Sequence, residues 1–122
     1  LNGLLIHGLD YDDTHPGSVV HASASALPAV LAAGRQYGAS GARALAAYLL
    51  AVEADARIGA HAGGWWQKVG FHPTGVVGVF GAALAAGYLQ RADECASANA
   101  LGLALGMASG SMEFLDEGSW NK

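Results

Sequence analysis

The sequence predicts an all-α fold, a helical bundle packed around a buried glycine- and alanine-rich central helix. Three observations carry that expectation. Apolar residues recur at three- and four-residue spacing in blocks separated by Gly, Pro and Ser. No block shows the sustained period-two alternation of a half-buried strand. Residues 75–89 run without a single charge. At 122 residues the chain has room for one domain, 1–122, with a continuous core.

Taken in order, Leu1 to Leu9 places apolar residues at 1, 4, 5 and 9, a helical spacing, before Pro16-Gly17 breaks the chain. Ser23 or Ser25 is positioned to cap a second helix through Ala26-Leu27-Pro28-Ala29-Val30-Leu31, with Pro28 acceptable in its first turn. Gly38 ends it. Ser40 opens a stronger helix, Ala42 to about Ala60, whose Leu45, Leu49, Val52 and Ala56 recur on one face, while Arg43, Glu53 and Arg57 decorate the others. Glu53 and Arg57 form an i,i+4 pair. A loop with Gly63-Gly64-Trp65-Trp66 leads to Pro73-Thr74 and the uncharged helix, Gly75 to about Leu89. That helix is apolar all round, so it is expected to be fully buried, with close backbone approach at Gly75, Gly78 and Gly81. A last helix, about Ala92 to Met107, starts with Asp93 and Glu94 at its positive end, and Cys95 and Met107 are expected in the core. Trp65-Trp66 serves a pocket, a partner surface or core packing equally well.

Bulk properties narrow the function. The chain is 52% hydrophobic and 13% charged, about half the usual charged share, so part of its surface calls for a partner subunit or a further part of the same protein. The 75–89 run is shorter than the ~20 residues a membrane span needs. A net charge of -4 with no basic stripe argues against nucleic acid and anionic membrane. One cysteine, Cys95, rules out an internal disulfide and fits a reducing cytoplasm. Leu1-Asn2-Gly3 has neither the basic start of a signal peptide nor an initiating Met, and the absent Met suits a fragment and a trimmed tag equally.

The densest polar cluster lies between His7 and His21, with three histidines and the carboxylates Asp10, Asp12 and Asp13. Its spacing matches no metal signature, so proton chemistry is the expectation. Asp12 and Asp13 equally suit helix or turn caps. His72 precedes Pro73-Thr74 at the start of the apolar helix, where N–H groups favour an anion such as a carboxylate, although Thr74 reads as a plain cap. His15 and His61 read as surface or supporting groups.

The segment His7-Gly8-Leu9-Asp10-Tyr11-Asp12-Asp13-Thr14-His15-Pro16, then Leu27-Pro28-Ala29, then Gly70-Phe71-His72-Pro73-Thr74-Gly75 running into Gly81-Ala82-Ala83, resembles the MmgE/PrpD family. Its members include 2-methylcitrate dehydratase, cis-aconitate decarboxylase and iminodisuccinate epimerase. The resemblance covers essentially the whole chain, and the ending from Phe114 to Lys122 resembles the family segment that leads to an active-site lysine. It implies a helical domain facing a smaller α+β lid domain, usually within a homodimer, and a mechanism without metal or organic cofactor. Asp10, Thr14, His21, His72 and Lys122 match the family's active-site residues, with Ala22 after His21 where relatives often carry proline. Family members are much longer, so the expectation is a partial helical domain with the lid outside 1–122.

The implied chemistry removes a proton beside a carboxylate and expels hydroxide, or replaces carbon dioxide by a proton. Both need a base, an acid and cationic or N–H partners for carboxylates. On this reading His21 or His72 moves the proton, Asp10 orients its histidine, and Lys122 with Thr14 anchors a small di- or tricarboxylate. The alternative is a non-catalytic truncated module that keeps the fold and uses its apolar face to self-associate or bind a protein partner.

Overall fold

The computed structural model describes residues 1–118, and these form seven helices with no strand, only isolated bridges pairing His15 with Val20 and Phe71 with Ser111. None of the helices among the described residues is long and apolar enough to cross a membrane. The all-α expectation therefore holds, and the helix positions follow the sequence signals more closely than their buried faces do.

Helix α1 spans Asn2–His7 and α2 spans Ala22–Gln36. Neither Ser23 nor Ser25 caps α2. Asp13, from the preceding loop, accepts the Ser23 N–H at 3.1 Å and supplies the acceptor instead. Because the helix starts at Ala22, Pro28 is its seventh residue and lies in the second turn rather than the first. Proline has no N–H to give the Ala24 carbonyl four residues earlier. Gly3 of α1 packs onto that carbonyl so closely that a Cβ at Gly3 would lie 2.7 Å from the oxygen. Beyond Gln36, Gly38 takes φ +60° and the Ala39 N–H returns to the Gly34 carbonyl at 2.8 Å, closing the helix as the glycine predicts.

Helix α3, Gly41–His61, begins where Ser40 accepts the Arg43 N–H at 3.3 Å. Its buried face is Ala47, Ala51, Asp55 and Gly59, repeating every four residues. Leu45 and Leu49, expected on that face, are 59% and 57% exposed. The reason is separation: α3 lies so near its neighbours that a Cβ at Gly59 would come within 2.5 Å of Ser18, and only small side chains fit along the seam. Arg43 is not decoration either, since its guanidinium donates to the Leu89 carbonyl at 3.0 Å at the end of α5. Glu53 and Arg57 do pair along the helix.

After the short helix α4, Trp65–Lys68, the chain enters α5, Pro73–Gln90, which packs against α2, α3 and α6. All three glycines sit where the spacing requires close approach. A Cβ would meet Ser109 O at 2.7 Å from Gly75, Ser25 Oγ at 2.6 Å from Gly78, and both Asp55 oxygens at 2.5 Å from Gly81. The helix is central but not fully buried, as Gly75, Tyr88 and Gln90 are exposed. Helix α6, Glu94–Met107, is capped by Asp93, which accepts the Ala96 N–H at 2.8 Å. It buries only Ala104; Cys95 and Met107, expected in the core, are exposed. Helix α6 packs against α5 and presents its outer side to solvent. The four-residue α7, Phe114–Glu117, follows. The core itself is built largely of alanine, with Ala26, Ala33, Ala47, Ala51 and Ala85 around Val30 and Leu89.

Asp55 is the polar exception in that core. It is fully buried, and burial pushes its carboxyl up to about 7, against the opposing pull of the Gly81 N–H at 2.9 Å and the Ser25 hydroxyl at 3.4 Å. Folding thus favours the protonated form. The stabilisation is complete below about pH 4, where the unfolded carboxyl also holds its proton, and is lost as pH rises to about 7. Asp55→Asn keeps the shape and an acceptor for Gly81 without the ionisation. We expect it to flatten the dependence of Tm on pH between about 4 and 7 and to raise Tm above pH 7 by at least ~5 °C. An Asn variant with the parent's pH profile would show that Asp55 does not titrate in this window.

Candidate active site

The site is assembled from helix ends. His7 is the last residue of α1, His21 is the residue from which α2 starts, and His72 is the residue from which α5 starts. Between His7 and His21 the chain makes two compact turns. The first places Asp10 at φ +58°, an uncommon backbone state for a residue with a Cβ, and the Asp10 N–H returns to the His7 carbonyl at 3.1 Å. The second joins His15 to Val20 and drives Ser18 and Val20 into the cleft beside Gly59. His15 is tied up there with Ser18 at 2.9 Å, and His61 is exposed at the end of α3, so both stay outside the site as expected.

Three imidazole rings converge. The His7 and His21 centroids are 4.5 Å apart, His7 and His72 5.5 Å, and His21 and His72 6.4 Å. Asp12 lies beneath them with its side chain only 4% exposed. It accepts from His7 Nδ1 at 2.9 Å and lies 3.5 Å from His21 Nδ1. Thr14 Oγ1 is 3.3 Å from the same His21 nitrogen, and Asp10 stands 3.8 Å from His21 Nε2, within ion-pair distance. His7 Nε2 and His72 Nε2 meet at 3.2 Å. Thr74 does not cap α5. Its hydroxyl accepts the His21 backbone N–H at 3.0 Å, fastening the start of α2 to the start of α5.

The fourth wall comes from the C-terminal side. Backbone bonds from His72 N to Gly110 O at 3.0 Å and from Met112 N to Gly70 O at 2.9 Å lay residues 110–112 alongside 70–72. Phe114 is thereby brought over His72, with ring centroids 5.5 Å apart. A cavity of about 180 Å³ opens between Asp10, His21, His72, Gln67, Met112 and Phe114. That is below the ~300–1,000 Å³ usual for drug-sized ligands and on the scale of a small acid. Gln67 is among the residues lining this cavity, and its side-chain oxygen is buried with no hydrogen-bond partner among the described residues.

Asp10, Thr14, His21 and His72, singled out from the sequence, are therefore brought together, while Lys122 lies outside the described residues. The structure adds His7, Asp12 and Gln67. One donor atom each from His7, Asp10, Asp12 and His21 lies within 4.8 Å of the others, so these four residues could also gather round a cation. Asp13 takes the bland role of a helix cap; Asp12 does not.

A model of the MmgE/PrpD N-terminal domain matches residues 1–122. The chain belongs to the MmgE/PrpD family. No curated protein and no solved structure matches it. In this MmgE/PrpD chain the family-like segments 7–16 and 70–75, far apart in sequence, meet as the two sides of the histidine cluster. The signal that would have singled out His7 was its place three residues before Asp10, at the end of an apolar helix. Nothing local marked its contact with His72, 65 residues away.

Proposed function

We propose that this chain is the helical part of an MmgE/PrpD-type lyase or isomerase, a cofactor-independent dehydratase, decarboxylase or epimerase acting on small di- or tricarboxylates such as 2-methylcitrate or cis-aconitate. The observation that carries this reading is the convergence of His21, His72 and Asp10 on one small cavity. His21 has Nδ1 beside Asp12 and Thr14 and Nε2 toward Asp10. A hydrogen on Nδ1 leaves Nε2 as the base, and Asp10 then faces the positive charge that forms when a carbon acid gives up its proton. His72, across the cavity, acts as the partner acid or base. Thr14 and Lys122 anchor substrate carboxylate. A lid domain and a homodimer partner complete the pocket; elsewhere on the surface, the exposed Leu45 and Leu49 on α3 and Leu103 and Leu105 on α6 offer a partner apolar area to cover.

Titration of 2-methylcitrate or citrate into the chain, followed through the histidine ring signals by NMR, tests the reading. Saturable shifts of His21 and His72 are expected, lost in His21→Ala and unchanged after dialysis against a metal chelator. A monocarboxylate of similar size is expected to bind at least ~10-fold more weakly, a difference of about 1.4 kcal/mol. Histidine signals that do not move with any tricarboxylate would remove the basis for this function and leave the self-associating helical module as the better account.

A further inference from the structure

We propose that His7 is a positioning residue that sets the tautomer of His72, and so decides which nitrogen of His72 exchanges protons. The catalytic consequence rests on the proton-transfer reading above; the tautomer assignment does not. His7 is the most deeply buried of the three rings, at 5% exposure, and its two nitrogens are engaged at opposite ends. Nδ1 meets the Asp12 carboxylate at 2.9 Å and Nε2 meets His72 Nε2 at 3.2 Å. A carboxylate only accepts, so the hydrogen of a neutral His7 is on Nδ1 and its Nε2 is an acceptor. Two acceptors cannot face each other at that distance. His72 must then carry its own hydrogen on Nε2, which makes Nδ1 its basic nitrogen.

Asp12 anchors this arrangement, since it is nearly buried and contacts both His7 and His21. A single carboxylate thus orients the two histidines nearest to it, and His7 relays that orientation to the third.

The test is a long-range nitrogen–proton correlation spectrum of the 122-residue chain, recorded about two pH units above the usual histidine value of ~6.5. The expected result is the Nε2–H form at His72 and the Nδ1–H form at His7. His7→Phe keeps the ring volume without either nitrogen and is expected to shift His72 toward a mixture of tautomers. His7→Gln, which can again offer an oxygen acceptor to His72, is expected to restore the Nε2–H form. A parent His72 in the Nδ1–H form overturns the inference with no variant needed, as does a His7→Phe chain whose His72 tautomer is unchanged. Because the readout needs no substrate, a chain that binds no tricarboxylate yet shows the tautomer shift would sink the proposed function and leave this inference standing.

Discussion

Gly81→Ala should be among the most destabilising single changes in this chain, at about 1–5 kcal/mol net, in spite of alanine's better helix propensity. The added methyl would sit 2.5 Å from both oxygens of Asp55 and 2.6 Å from the carboxyl carbon, closer than any real contact. Asp55 has nowhere to go. It is fully buried, its side chain is short, and it is fixed by the Gly81 N–H. Helices α3 and α5 must therefore part, which costs about 1–3 kcal/mol for overpacking and a further ~1–3 kcal/mol for a buried carboxyl that loses its donors. The helix-propensity gain of ~1 kcal/mol offsets little of this. Against a total stability of ~5–15 kcal/mol, urea unfolding followed by circular dichroism will read the loss directly. Gly102→Ala is the control, because nothing lies within 4 Å of that Cβ, and it should leave the chain equally or more stable. Adding Asp55→Ala to Gly81→Ala should recover part of the loss. If Gly81→Ala unfolds at the parent's urea concentration, α3 and α5 are not held together in this way.

Replacing the residue that matches His72 by Ala in a longer MmgE/PrpD enzyme should lower kcat by at least ~100-fold, or about 2.7 kcal/mol, with little change in Tm. The two parts of that expectation have separate grounds. Activity falls because His72 faces the cavity opposite Asp10 and His21 and touches His7 through Nε2. The helix itself holds because its start is set by Pro73 and by the His72 backbone bond to Gly110, so Tm falls only by what the ring's contacts with His7 and Phe114 contribute. Turnover close to the parent's would remove His72 from the proton-transfer role. A large drop in Tm would make it structural.

Most helix boundaries were legible because they rest on local chemistry. Ser40 and Asp93 cap, Gly38 takes a left-handed turn, and Pro73 opens α5, each through bonds made within a few residues. Faces were less legible. Hydrophobicity alone selects Leu45 and Leu49 on α3, but the spacing between helices selects Ala47, Ala51 and Gly59, and that spacing depends on glycines of α5 and on the loop before α2. Asp55 carried no signal in a row of alanines and charges, since its acceptor role exists only opposite Gly81. In the site, Asp10 and His21 stand out in the polar cluster and His72 by its place at the start of the apolar helix, while Thr14 is found through motif resemblance. Within the polar cluster, His7's contact with His72 emerges only once 65 residues of separation close to 3.2 Å, and Asp12's role only once the turns of the loop set it against both His7 and His21.

The residues that meet in the cavity belong to helix ends, and helix ends move when helices slide along their axes. The start of α5 is aligned with the start of α2 by the bond from His21 to Thr74, and the sliding direction is locked farther down by Gly78 against Ser25 and Gly81 against Asp55. Gly78 is about 9 Å along α5 from His72 at 1.5 Å per residue, yet it works like the tooth of a ratchet. If that tooth slips by one notch, His72 leaves His7 by a full helical step. The smallest side chains of the bundle therefore set the tolerance to which its histidines are machined.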